Sequence, residues 1–379
     1  MPSPDVLDFA ALLAPVPGDK PTGVDPRANT SPSSPYYKVK DARTAARSAE
    51  RQMEQGAEDA PTPDWKAVVS AATQALAVAK DLEVAAYLTE GLARVHGFTG
   101  LRDGFRLTRE LVAAFWDDLY PTPDEEGLTT KVAALSGLNG DDAEGTLLAP
   151  IRTIPLTDSD THGRLNYANY QQALATSKIL DPKVKEKKVA AGAMSFEKVQ
   201  AAMNETGNGF VKALYEDLTA AQEQFDQLNA VLDGKCGAAA PPSSAIRSLL
   251  ADVLAAVKDV ARDKLAVMQM AAAAATAAEA APADANGKQA ARSDDDDDAG
   301  GGERLPPIRN REDALNALLK LADYFRRTEP HSMVPHALEQ AVRWARMPLI
   351  ELMAELIPDD DARGALFKQV GIRGAGKES

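Results

Sequence analysis

Apolar residues recur at intervals of three and four through most of this chain, the spacing that gathers them on one face of an α-helix. Trp65, Val68, Val69, Ala72 and Leu76 open one such face behind Asp64, a residue type that caps helix starts. Leu82, Ala85, Ala86, Leu88, Leu92 and Val95 form the next. Phe98, Leu101, Phe105, Thr108, Val112, Phe115 and Leu119 then follow almost without a gap, and Tyr120-Pro-Thr-Pro123 ends the run. Trp65, Leu82, Leu101, Phe105, Phe115 and Trp116 are the expected core of this N-terminal helical domain, each large side chain contributing about 1.5–3 kcal/mol when buried. Upstream, Pro15 to Pro26 is too rich in proline and glycine for a helix and reads as an extended arm. Tyr36 to Gln55 reads as a helix with Lys40, Arg43, Arg47 and Arg51 along one side and Val39, Ala42, Ala46 and Met53 near the other. The basic stripe reads as a solvated helix face, with an acidic partner as the alternative.

Helical spacing returns from Met194 to Leu232 and again from Ser243 or Ser244 towards Met270. Lys183, Lys185, Lys187 and Lys188, with Glu186 among them, read as a loop or a helix start. Between residues 271 and 304 an alanine run gives way to Asp294–Asp298 and a glycine run, the composition of a disordered linker. The last periodic stretch, residues 310–357, pairs the stripe Leu315, Leu318, Leu319, Ala322, Phe325 with Leu338, Ala341, Val342, Ala345, flanked by Trp344. Pro330 pushes Glu329 out of helical geometry, Ser332 is placed to cap the second helix, and Pro335 falls in its first turn. An α-hairpin with a polar corner of Glu329, Pro330, His331 and Ser332 is expected. No other residues complete a catalytic set around that corner, so it reads as a cap and turn; a hydrolase using Glu329 and His331 is the enzymatic alternative.

Composition narrows the class. Of 379 residues only 5% are aromatic, alanine is abundant and β-branched runs are rare, which favours an all-α protein with lean cores. A net charge of −14 repels phosphate backbones and anionic membranes, so neither nucleic-acid binding nor membrane insertion is expected. Cys236 is the only cysteine, which excludes an intramolecular disulfide and a cysteine-rich zinc site. The first residues carry no signal-peptide pattern, and Ala266–Ala278 is too short for a bilayer. No metal or other cofactor is expected. Five consecutive aspartates lack the spacing of a cation loop. Gly371 to Lys377 has P-loop spacing, but Glu378 stands where magnesium needs Ser or Thr, and no strand precedes it. His331 and His336 are five apart and do not share a helix face as a zinc pair would.

A family resemblance rests on a series of segments in consistent order. Leu12 to Asp25, Tyr36 to Arg43, Asp64-Trp65, Lys80-Asp-Leu82, Gly97-Phe-Thr-Gly-Leu101 and Phe115 to Asp124 resemble the ImpA-type N-terminal domain that heads the TssA family of bacterial type VI secretion. The departures are Thr22-Gly-Val-Asp-Pro26, where the family has a small residue or Cys and then Gly-x-Asp-Leu-Arg, and Lys131, near a common Arg. Arg309 to Leu315, Tyr324 to Pro335 and Ala341 to Leu349 resemble the C-terminal signature of the short members, with Met333 where proline is usual. The resemblance implies four stretches: an ImpA-like helical domain (1–160), a helical middle region (161–270), the linker (271–304) and a C-terminal helical hub (305–379). It implies a non-enzymatic component that scaffolds the baseplate and primes tube and sheath assembly. The implied state is a cytoplasmic homo-oligomer, a six-fold ring of six or twelve copies, at the inner-membrane apparatus. Its implied partners are the baseplate proteins TssK and TssF, the sheath pair TssB and TssC, and the Hcp tube. On the same footing, Glu329, His331, Ser332 and Trp344 support or line the ring interface. The alternatives are a cap at the distal end of the sheath and an effector adaptor that forms no ring.

Overall fold

The computed structural model describes residues 2–57, 59–141, 143–279, 311–328 and 333–356. It separates into two compact units, residues 1–284 and 285–379. The described residues are all-α; isolated β-bridges occur among them, but no strand.

The first unit opens with α1 (Phe9–Leu13) and the arm, then α2 (Pro35–Glu54), α3 (Trp65–Val78) and α4 (Leu82–Phe115). Local chemistry sets these starts. The side chains of Ser34, Asp64 and Asp81 accept hydrogen bonds from the backbone N–H groups of Tyr37, Ala67 and Val84, satisfying donors that a helix start leaves free. α4 is broken at Gly97, whose φ of 58° and ψ of −135° lie outside helical space. A Cβ at Gly104 would come within 2.7 Å of the Thr89 hydroxyl. In a straight helix these residues would sit roughly 22 Å apart, so the arms 82–96 and 98–115 fold back on each other. The sequence places a break between two apolar runs here, and glycine makes the reversal possible.

α5 (Leu128–Asn139), α6 (Leu148–Thr153), α7 (Tyr167–Ser177), α8 (Pro182–Ala190) and α9 (Phe196–Glu205) follow. α10 (Asn208–Cys236), α11 (Ser244–Val260) and α12 (Arg262–Glu279) complete the unit. The lysine-rich stretch is therefore helix α8, begun by Asp181 accepting from the N–H of Lys183. α12 continues through residue 279, past the 271 boundary expected for the linker, and residues 280–304 lie outside the described residues. α10 packs more extensively on α4 than on any other helix, and the fully buried Leu88, Leu101, Leu111 and Leu218 share one core with Val253 and Val257 of α11. Residue 160 thus marks the end of the resemblance, while the core runs on past it. A smaller cluster joins Val199, Ala202 and Met203 of α9 to Val211 of α10 and Leu265 of α12.

The second unit holds α13 (Arg311–Thr328), α14 (Val334–Arg346) and α15 (Leu349–Leu356). α13 and α14 pack as the expected hairpin. Met333, not Ser332, stands at the start of α14 and makes no side-chain cap, because the helix begins one residue later than expected; Pro335 does fall in its first turn. Glu329, Pro330, His331 and Ser332 lie outside the described residues, as do Gly371 to Glu378.

Candidate functional site

The residues that carry the N-terminal signature converge on a set of internal braces. Lys80 is fully buried, and its ammonium donates to the carbonyls of Leu12 (2.7 Å) and Leu76 (3.1 Å). Those are the carbonyl-rich ends of α1 and α3, where a cation is favoured. Burial pushes the Lys80 pKa down. The neighbouring backbone holds the arm: Lys80 N–H donates to Thr22 O, Tyr120 N–H to Lys80 O, and Leu82 N–H to Tyr120 O. The Tyr120 hydroxyl closes on Gly23 O at 3.1 Å. A side chain at Gly23 would run into the carbonyl of Val78, and φ there is +77°, so Thr22-Gly-Val-Asp still docks the arm despite its departure from the family pattern.

Arg27 then reaches from the arm to Asp81 (2.6 Å) and Glu83 (2.5 Å). Glu83 also accepts from the hydroxyls of Tyr36 (2.8 Å) and Tyr87 (2.5 Å). Burial alone would raise the Glu83 pKa, but these hydrogen bonds from Tyr87, Tyr36 and Arg27 outweigh it and hold the carboxyl below its ordinary value. With the folded pKa depressed, the unfolded chain binds more protons in the acid window. The contribution of Glu83 is therefore present above about pH 4.5 and is lost as pH falls through the folded value. Urea titrations from pH 6 to pH 3 should show a steeper stability loss in the parent than in Glu83→Gln; parallel pH profiles would remove Glu83 from acid unfolding.

Two members of the basic stripe of α2, Arg43 and Arg47, face inward and not into solvent, while Arg51 is exposed. Glu90, with a fully buried side chain, accepts from Nε of Arg43 and Nε of Arg47, each at 2.8 Å, and lies 3.4 Å from Nη1 of Arg94. Arg94 stacks 3.8 Å from the centroid of the Trp65 ring and clamps Glu50 at 2.6 and 2.9 Å, and Glu50 accepts from the Trp65 indole at 2.6 Å. A buried carboxylate needs several donors, and α2 supplies two of them. Periodicity shows the stripe but cannot show which residue it faces, because Glu90 lies in an apolar run where its charge reads as one polar interruption.

The expected core residues Trp65, Leu82, Leu101, Phe105 and Phe115 are buried, and Trp116 is half-buried. Trp116 lies at the end of α4, where Lys131 donates to its carbonyl (2.6 Å) and sits 4.7 Å from its ring centroid. Lys131 is 2% exposed, and burial lowers its pKa. Lys80 and Lys131 therefore do the same thing, each tying down a helix end. Among the described residues no group of His, Cys, Asp and Glu could hold a metal ion, and no helix is long and apolar enough to cross a membrane.

In the second unit the α13–α14 hairpin is laced by Arg346 to Glu312 (2.9 Å) and by Arg326 to Glu339. Trp344 is half-buried, and its indole N–H donates to Glu355 of α15 at 3.1 Å. Glu355 also accepts from Gln340 at 2.9 Å and from Arg343. Trp344 thus ties α15 to α14, and the other four residues of the expected corner motif are not described. A groove of 490 Å³ runs past Leu319, Val342 and Met347.

Residues 13–140 match the family model described as "ImpA, N-terminal, type VI secretion system". The chain is 29% identical over 364 residues to the type VI secretion system component TssA1 of Pseudomonas aeruginosa, covering 93% of this chain and 96% of that protein. It also resembles a solved structure from Burkholderia cenocepacia, the N-terminal domain including the conserved ImpA_N region of the TssA component of the type VI secretion system. That match has a TM-score of 0.56 at 26% identity and covers 70% of this chain and 98% of the other.

Proposed function

The chain belongs to the TssA family of type VI secretion components, and from that premise we propose that it is a non-enzymatic scaffold that supports the baseplate and primes tube and sheath assembly. Residues 305–379 are its oligomerisation hub, and the N-terminal unit is the part displayed to partners. Those partners are the baseplate proteins TssK and TssF, the sheath pair TssB and TssC, and the Hcp tube, met in the cytoplasm at the inner-membrane apparatus.

The observation that carries this reading is the incomplete burial of the second unit. Among its described side chains, Leu315, Ala317, Ala322, Pro335 and Val342 are buried, while Leu318, Leu319, Leu321, Phe325, Leu338 and Leu352 are only half-covered. Three short helices with more apolar surface than they can bury among themselves gain stability by association. Ring display then multiplies weak contacts with a repeating sheath into useful avidity. The charged residues of the N-terminal braces bind other parts of the same unit, which suits a rigid adaptor more than a reaction centre. As a test, Trp344→Ala should loosen α15 and lower both the assembled mass and the thermal midpoint of the full-length protein. Unchanged mass and midpoint would take Trp344 out of the hub.

A further inference from the structure

Two charged surfaces of the first unit lie at opposite ends of α10. One is α8, a helix with no buried residue. At 100° per residue, Lys183, Val184, Lys187 and Lys188 fall within an arc of about 140°. All four are exposed, and Leu180 just ahead of them is 98% exposed. Lys185 points elsewhere, to Glu197 of α9 at 3.5 Å. α9 packs its Val199, Ala202 and Met203 with Val211, close to the first residue of α10. The lysine face therefore stands at the N-terminal end of α10.

The other surface is the connection from α4 to α5. It carries Asp117, Asp118, Asp124, Glu125 and Glu126, all exposed, with no basic residue from 116 to 130. Lys131, the next cation along the chain, is turned inward onto Trp116. One turn further along α5, Leu135 and then Leu138 line one cavity with Leu228 and Leu232 of α10, the last turns before that helix ends at Cys236. Asp233 and Lys235 beside Cys236 cancel. This acidic end therefore stands at the C-terminal end of a 29-residue helix, about 43 Å from the lysine end.

The geometry points to a head-to-tail contact between two copies of this chain, the α8 lysine face of one seated on the 117–126 carboxylates of the next. A second copy offers an exposed acidic patch at one end of α10 matched to the exposed basic face at the other. Because the two surfaces differ and lie at opposite poles, the contact is heterologous and repeats from copy to copy. It adds a second site of association to the scaffold proposed above and does not require the C-terminal hub, so loss of the hub reading leaves its test intact.

The test is zero-length carbodiimide coupling of lysine to carboxylate in the full-length protein, mixed from nitrogen-14 and nitrogen-15 labelled batches. Mixed-isotope peptides joining residues 183–188 to residues 117–126 are expected at low salt. Their yield should fall at least about tenfold at 1 M salt, where screening acts within about 3 Å, and equally in the Lys183→Glu/Lys187→Glu/Lys188→Glu variant. Mixing that variant with Asp117→Lys/Glu125→Lys/Glu126→Lys should restore the link with the charges exchanged, which also guards against a simple folding defect. Links within single chains only, links insensitive to charge reversal, or none between these segments would each overturn the contact; the last would leave α8 to an acidic partner other than this chain.

Discussion

Replacing Glu90 by alanine should lower the unfolding free energy of the first unit by about 3–5 kcal/mol, the usual cost of leaving buried or half-buried charges without their partner. Arg43 and Arg47 pair with this one carboxylate at 2.8 Å, and Arg94, held by Glu50, lies 3.4 Å from it. Their side chains are 14–26% exposed, so water can reach them only in part once Glu90 is gone. The damage should spread, because Arg94 also holds Glu50 and covers Trp65, and Arg43 and Arg47 join α2 to α4. Urea unfolding is the measurement: the midpoint should drop while the slope stays constant. A loss under about 1 kcal/mol would mean that the three arginines find other partners and that the network is not what fixes α2.

The second large effect lies at the seam between α4 and α10. Phe105 is 1% exposed, and its ring centroid is 4.9 Å from that of Phe225. Phe105→Ala deletes a ring from a core whose neighbours are helix-bound leucines with little room to collapse, so a cost of about 3–5 kcal/mol is expected. A double-mutant cycle with Phe225→Ala should return a coupling of about 0.5–1.5 kcal/mol, the range for ring pairs in contact. The transition should remain single, because one core includes residues from Phe9 to Val257. Two separate transitions in Phe105→Ala, one for residues before 160 and one after, would show that the ImpA-like stretch and the middle region fold independently.

Much of the fold was legible because its cause is local. Asp64 before Trp65 marks a helix start by cap chemistry, the three-four spacing of Leu82 to Val95 and Phe98 to Leu119 marks both arms of α4, and Pro35 and Gln55 bracket α2 to within a residue. What pattern could not reveal is where the arms go. Gly97 reads as a glycine between two stripes; that it reverses the chain depends on Gly104 meeting Thr89. α5 buries Lys131 and Asn139 on the same face as Val132, Leu135 and Leu138, so its apolar periodicity is weak. The inward turn of Arg43 and Arg47 in the basic stripe of α2 is hidden for a related reason: spacing places side chains on a face but carries no information on the face opposite, here the buried Glu90. Lys80 and Lys131 were visible as parts of a resemblance, yet their work at helix ends depends on carbonyls remote in sequence, those of Leu12 and Trp116. At the other end of the chain, Trp344 was legible as a flank of the α14 stripe, while its partner Glu355 belongs to a third helix that the hairpin pattern did not include.

The scaffold reading turns on where association resides. Light scattering on the size-fractionated full-length protein, beside a chain ending at residue 304, tests it directly. Both should be measured in 0.5 M salt, so that contacts between charged surfaces are screened. A multi-copy full-length assembly that falls to single chains on truncation is the expected result, because the half-covered leucines of α13, α14 and α15 are removed with residues 305–379. A full-length monomer at micromolar concentration, or an assembly that survives the truncation, would contradict the hub and with it the ring.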